Sequence, residues 1–118
     1  MILSPLAASI YQVLRNRVPS VKPELAYTEL VESLPNPFNT VGPDSEMLAA
    51  ALGELVTRCR AKGLPAISAM VVRYRERVPG PGYYKMAHPD VAHDPAKAAI
   101  AWGHELEKVR VTSYPPTI

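Results

Sequence analysis

The sequence predicts an α+β domain of three helices, a two-stranded β-hairpin and a C-terminal helix. Apolar residues recur at helical spacing in three segments before residue 63 and in one after residue 94. Between them, residues 66–72 are almost continuously apolar, which predicts a strand covered on both sides. The turn sequence VPGPG and then YYKM follow. This order predicts a hairpin with a long, proline-rich loop. The 118 residues fit a single domain, 1–118, with 112–118 as an extended tail.

The first two helices are predicted from their caps and from prolines. Ser4 followed by Pro5 is a favourable helix start, because the missing N–H of proline costs nothing in the first turn. The apolar spacing then predicts a helix over about 5–17. Thr28 is the predicted cap of a short second helix, which the prolines at 35 and 37 end.

The third helix has the strongest apolar stripe in the chain. Asp44 is its predicted cap, and Gly63 is its predicted end. Cys59 lies on the stripe, so it is expected to be a buried, inert thiol rather than a nucleophile. The loop before this helix, residues 35–43, is long for the connection of a helix-turn-helix motif.

The segment before the last helix is rich in histidine and aspartate. Its sequence HPDVAHD brings His88, Asp90, His93 and Asp94 close together, but the spacing matches no standard zinc signature. We therefore predict no metal site. Asp94 is instead the expected N-cap of a helix whose apolar face consists of Ala99, Trp102, Leu106 and Val109.

The predicted hairpin carries positive charge near its tip. At the strand period of two, Arg73, Arg75 and Arg77 share one face, and Lys85 follows on the return strand. Such a stripe can hold phosphates. Alternating charge at a hairpin tip is also a common protection against aggregation, so this second interpretation stays open.

The order helix, helix, helix, strand, turn, strand, helix resembles a winged helix-turn-helix domain, with the hairpin as its wing. The resemblance covers nearly the whole chain, but it consists of element order and includes no diagnostic motif. It implies that the third helix approaches DNA and adds Thr57 and Arg60 to the cations of the wing. The function expected from it is a non-enzymatic, nucleic-acid-binding or regulatory module.

The exposed face of the third helix favours a second hypothesis. Glu46, Ala49, Ala50 and Gly53 form a small and partly acidic surface, which suits close approach by another protein better than contact with phosphates. The formal net charge of +2 is also low for a nucleic-acid-binding domain. The alternative is an adaptor or inhibitor, such as phages and mobile elements encode, that binds a host protein. A homodimer through the first or last helix is a further expectation.

Composition and motifs limit the remaining classes. Hydrophobic residues make up 47% and charged residues 20%, which is ordinary for a soluble domain. The single cysteine excludes an intrachain disulfide, and no stretch is apolar enough for a membrane helix, so a cytoplasmic location is expected. The sequence contains no glycine-rich phosphate loop, nucleophile elbow or HExxH motif. We therefore expect no catalytic activity and no cofactor.

Overall fold

The computed structural model describes residues 2–20 and 22–118. This part of the chain is dominated by helix and contains a small two-stranded parallel sheet, so the mixed α and β composition is confirmed. The elements are α1 Pro5–Arg17, β1 Leu25–Ala26, α2 Tyr27–Glu32, α3 Glu46–Ala61, β2 Val71–Val72, α4 Pro81–Ala87 and α5 Pro95–Arg110. Two short 3-10 turns, Phe38–Thr40 and Ile67–Met70, precede α3 and β2 respectively.

The starts of α1 and α5 are confirmed. The Ser4 hydroxyl accepts a hydrogen bond from the N–H of Ala7 at 3.3 Å, and a carboxylate oxygen of Asp94 accepts one from the N–H of Lys97 at 3.2 Å. In both helices a proline occupies the first turn. Local cap chemistry therefore decides where these two helices begin.

The start of α2 differs from the prediction. Thr28 lies inside the helix, and the N-cap residue is Ala26. Alanine has no side chain that can cap, but the carboxylate of Glu29 accepts a hydrogen bond from the N–H of Ala26 at 2.9 Å. Glu29, in the first turn, thus satisfies a backbone donor at the helix start, where Thr28 was expected to be the cap.

The start of α3 is one residue later than predicted. Ser45, rather than Asp44, is the N-cap, and its hydroxyl accepts a hydrogen bond from the N–H of Leu48 at 3.2 Å. Asp44 and Ser45 are both good caps, so the sequence did not distinguish them. The end is as predicted, since Gly63 adopts a φ of 69°, which suits glycine.

Residues 66–72 form the centre of the core. Every residue of this segment is buried, and its 3-10 turn packs against α1, α3 and α5. The indole N–H of Trp102 donates to the carbonyl of Ala69 at 2.9 Å and ties α5 to it. The predicted burial on both sides is confirmed. The predicted strand is wrong over Ile67–Met70, which is helical, and only Val71–Val72 is extended.

The predicted hairpin is wrong. β2 pairs in parallel with β1, with Leu25 opposite Val71, and the expected return strand is helix α4. Pro81 occupies the first turn of α4, where its ring favours a helix start, and Tyr83 and Ala87 are buried one turn apart. The described residues therefore contain no wing, and the winged-helix arrangement is not confirmed.

The last helix and the tail also differ in detail from the prediction. On α5, Leu106 and Val109 are buried and Trp102 is half-buried, as predicted, but Ala98 is buried in place of Ala99. Residues 112–118 lack regular structure, as predicted, but they pack against the domain. The buried Tyr114 donates its hydroxyl hydrogen to the carbonyl of Pro65 at 2.7 Å, and the hydroxyl of Tyr11 donates to the carbonyl of Pro115.

Candidate binding groove

A groove of about 1000 Å³ opens between α3, the turn at residues 73–78 and the start of α4. Its volume is at the upper end of the range for small-molecule sites. Exposed large hydrophobic side chains lie along it, namely those of Ile2, Tyr74 and Met86. Exposed apolar side chains that gather around one depression are typical of a ligand or partner site.

Small residues of α3 form one wall of this groove. Ala49, Ala50, Gly53 and Thr57 line it, and all four belong to the side of the helix that faces away from the core. Glu46, the fourth predicted partner-binding residue, is exposed at the helix start and does not line the groove. Because the other residues have short side chains or none, a ligand can approach the helix backbone closely.

The opposite wall is a turn rather than a strand. The N–H of Arg73 donates to the carbonyl of Val78 at 2.8 Å, and the N–H of Arg77 donates to the carbonyl of Arg73 at 2.9 Å. This turn separates the three arginines that were predicted to form one stripe. Arg73 and Arg75 line the groove, whereas Arg77 has a positive φ of 56° and its guanidinium lies 3.6 Å from the carboxylate of Glu29.

A polar corner lies where the turn meets α4. The hydroxyl of Tyr27 accepts a hydrogen bond from the N–H of Gly80 at 3.0 Å. A Cβ atom on residue 80 would lie 3.0 Å from that hydroxyl oxygen and 3.8 Å from Nε of Arg73. Glycine therefore leaves the space in which a phenol hydroxyl and a guanidinium come together, and all three residues line the groove.

Ser68 is the second polar feature of the groove. It belongs to the 3-10 turn of the core, is 4% exposed and lines the groove. Its hydroxyl has no hydrogen-bond partner among residues 2–20 and 22–118. A buried hydroxyl without a partner costs about 1–3 kcal/mol. A ligand with a polar atom at this depth would recover part of that cost.

Arg60 does not face the groove. Its guanidinium donates two hydrogen bonds to the carboxylate of Glu105, at 3.0 and 2.5 Å, and a third to the carbonyl of Ala87 at 3.2 Å. Arg60, which was predicted to contact nucleic acid, thus joins α3 to α4 and α5.

The predicted nucleic-acid-binding residues are spread over different surroundings. Those that line the groove are Thr57, Arg73 and Arg75; those that do not are Arg60, Arg77 and Lys85. Lys85 is exposed on α4. The structure thus brings half of the predicted set together, on a groove that is mainly apolar rather than on a basic face.

A buried polar cluster behind the groove was missed from the sequence. Glu105 is 5% exposed and also accepts a hydrogen bond from the N–H of Ala66 at 3.1 Å. Nε2 of His88 lies 3.4 Å from the same carboxylate and 2.9 Å from the hydroxyl of Tyr83. The sequence did contain one indication of this cluster: Glu105 is spaced within the apolar face of α5. A carboxylate on a buried face requires hydrogen-bond donors around it.

The protonation of this cluster follows from burial and hydrogen bonding. Burial alone would raise the pKa of Glu105, but the hydrogen bonds from Arg60 and from the Ala66 N–H outweigh it, so the pKa is lowered. Burial lowers the pKa of His88, and burial raises the pKa of Tyr83. At neutral pH the cluster therefore holds a carboxylate, a guanidinium, a neutral imidazole and a phenol.

Cys59 is fully buried, as predicted. Burial raises the pKa of its thiol, which lowers the thiolate fraction and so its reactivity. Within the described ranges, no three histidine, cysteine, aspartate or glutamate side chains are grouped as metal ligands. His93 is exposed before α5, and Asp94 is held by its cap hydrogen bond.

Comparisons with protein-family models, with curated proteins and with solved structures find no significant match for this chain. Across residues 2–20 and 22–118, none of the helices has both the length and the apolar character needed to span a bilayer.

Proposed function

We propose that this protein is a non-enzymatic binding module that accepts an apolar segment of a partner protein in the groove beside α3. The observation that carries the proposal is the lining of the groove. Small residues of α3 line an apolar depression together with exposed Tyr74 and Met86, and Met86 lies against Gly53. Tyrosine and methionine are enriched in protein interfaces, and methionine adapts its shape to different partners.

The partner segment best suited to this groove is an amphipathic helix. Ala49 and Ala50 are exposed on α3 and offer a second helix a narrow surface on which to pack, next to Met86, which lies over Gly53. The apolar face of that helix would then lie against Tyr74 and Met86. This is the helix-in-groove mode of peptide recognition.

A nucleic-acid-binding function has weaker support from the same geometry. Arg60 is engaged with Glu105, and Arg77 lies beside Glu29. The two arginines that line the groove, Arg73 and Arg75, share it with acidic side chains, those of Asp44, Glu54 and Glu76. A surface of mixed charge attracts phosphates less than a basic patch does.

The test is to fill the groove without changing the charge. Ala49→Trp places an indole ring on the groove wall, and Ala61→Trp is the matched control, because Ala61 is exposed on the same helix and does not line the groove. The two variants and the wild-type protein are used as bait in quantitative affinity capture. We expect a partner that binds the wild-type protein and Ala61→Trp but not Ala49→Trp.

The segment of the captured partner that binds the groove is then tested as a peptide. A synthetic helix from the partner, added to ¹⁵N-labelled protein, should shift the amide signals of Ala50 and Gly53. Equal capture by all three baits, or a partner segment that leaves these signals unchanged, would overturn the proposal.

A further inference from the structure

We infer that the groove also binds a small amphiphilic carboxylate, with its acid group at Arg73 and Tyr27 and its apolar body along α3. Competition between this acid and a partner segment rests on the proposed function, whereas binding of the acid itself does not. The inference starts from the polar atoms that face an otherwise apolar groove.

These polar atoms are donors without acceptors. The side chain of Arg73 is exposed and forms no hydrogen bond or ion pair within the described part of the chain. The hydroxyl of Tyr27 accepts from the Gly80 N–H and has its own hydrogen left to donate. A guanidinium and a phenol hydroxyl at one corner match the two oxygens of a carboxylate, because arginine binds this group through parallel hydrogen bonds.

The buried hydroxyl of Ser68 is a second unsatisfied polar group of a residue that lines the groove. It is enclosed by the core, lines the groove and has no partner among the residues described. In native proteins most buried hydroxyl groups are paired, so an orphan of this kind needs an explanation. The carboxylate of the ligand is assigned to Arg73 and Tyr27, so Ser68 is not assigned a contact with it.

The α3 wall offers an apolar surface for the body of the ligand. Leu52 and Val56 line the groove beside the small residues of the same helix. An alkyl or aryl group placed here removes apolar surface from water, at about 25 cal/mol per Å². The ligand class is thus a monocarboxylic acid with an apolar chain or ring, rather than a sugar or a phosphate ester.

The acidic residues of the groove disfavour a polyanion such as DNA, which needs many cations, but a single carboxylate needs only one guanidinium. Glu54 accepts hydrogen bonds from the N–H and the hydroxyl of Ser4, at 3.0 and 2.7 Å, which hold its carboxylate at the start of α1. Asp44 precedes α3 and is exposed, so water screens its charge. Glu76 is exposed on the turn, where water screens its charge.

The experiment compares octanoate with 1-octanol, which has the same chain length and no charge. Both are titrated into ¹⁵N-labelled protein, and dissociation constants are taken from the amide shifts of Gly53 and Gly80. We expect octanoate to bind more tightly than octanol. Arg73→Ala should lower the affinity for octanoate by about tenfold or more, the size expected for a charge-assisted bidentate contact. It should leave the affinity for octanol unchanged.

Lys85→Ala is the control, since Lys85 is an exposed cation of the neighbouring helix α4 and does not line the groove. It should change octanoate affinity by less than about twofold if the corner, rather than general charge, binds the acid. Equal affinity for octanoate and octanol, equal losses in the two variants, or no shifts at Gly53 and Gly80 would each overturn the inference.

The outcomes also separate this inference from the proposed function. Selective binding of octanoate that depends on Arg73, together with equal capture of partners by Ala49→Trp and Ala61→Trp, would retain the acid site and remove the partner. Capture of a partner that Ala49→Trp abolishes, together with equal affinity for octanoate and octanol, would retain the partner and remove the acid site.

Discussion

Replacement of Arg60 by alanine tests whether the buried cluster behind the groove stabilises the fold. The substitution removes two hydrogen bonds to Glu105 and one to the carbonyl of Ala87. It leaves the Glu105 carboxylate, 5% exposed, with the Ala66 N–H as its remaining strong donor. An uncompensated charge in the core is among the most destabilising changes that a single substitution can cause.

The magnitude lies between two limits. Breaking a fully buried ion pair costs about 3–5 kcal/mol, whereas an exposed pair contributes about 0–1 kcal/mol. The side chain of Glu105 is 5% exposed, but that of Arg60 is 42% exposed, so water can reach the guanidinium and would reach the space it leaves. We therefore expect a loss of about 2–3 kcal/mol in the free energy of unfolding, which lowers Tm by roughly 10 °C for a chain of this size.

The assay is urea unfolding followed by far-UV circular dichroism, with a thermal melt as a second measurement. Arg75→Ala is the control, because its side chain is exposed and has no partner among residues 2–20 and 22–118. It should remain within about 0.5 kcal/mol of the wild-type protein. If Arg60→Ala were equally mild, Arg60 would be a surface residue, and its assignment to the cluster would be refuted.

Two further predictions concern acid stability and nucleic acid. Burial lowers the pKa of His88 below its ordinary value of 6.5, so the unfolded chain takes up this proton first and stability falls as the pH falls below 6.5. His88→Gln should therefore show a flatter dependence of the urea midpoint on pH between 6.5 and about 5, and an unchanged slope would contradict the reasoning. For nucleic acid, random-sequence duplex DNA is titrated with protein at two salt concentrations and followed by fluorescence anisotropy. We expect the wild-type protein and the Arg73→Ala/Arg75→Ala variant to give the same result. Salt-dependent binding lost in that variant would favour the nucleic-acid hypothesis instead.

The lowered pKa of Glu105 acts in a separate pH range. A folded-state pKa below the ordinary 4.5 means that this carboxylate contributes stability above pH 4.5, and that the contribution disappears as the pH falls through the folded-state pKa. The effect of His88 therefore comes first on acidification, and the effect of Glu105 comes second. The two effects fall in different pH ranges, and the carboxylates of Glu29 and Glu54, whose pKa values are also lowered, contribute in the lower range together with Glu105.

Helices with strong local signals were predictable from the sequence. Ser4 and Asp94 each precede a proline, and both helices begin where these pairs predict. The Gly80–Pro81 pair carries part of the same signal, but it occurs within PGPG and was interpreted as a turn. Glycine and proline favour both turns and helix starts, so the conformation depended on whether Tyr83 could be buried against α3.

The groove was predictable only in part. The small face of α3 was visible in the spacing of Ala49, Ala50 and Gly53, but its opposite wall was not. Arg60 was read as exposed because its partner, Glu105, lies far along the chain on another helix. Ser68 gave no signal in the sequence, since a serine beside apolar residues is common at many kinds of position.

The sequence by itself determined the starts of α1 and α5, the end of α3 at Gly63 and the burial of residues 66–72. These features depend on caps, on backbone preference and on hydrophobic periodicity, all of which act over a few residues. Tertiary structure alone decided the parallel pairing of β1 with β2, the helical state of α4, the Arg60–Glu105 pair and the polar corner of the groove. Each of these joins residues that are distant in sequence, and their contact free energies appear only after the helices have packed.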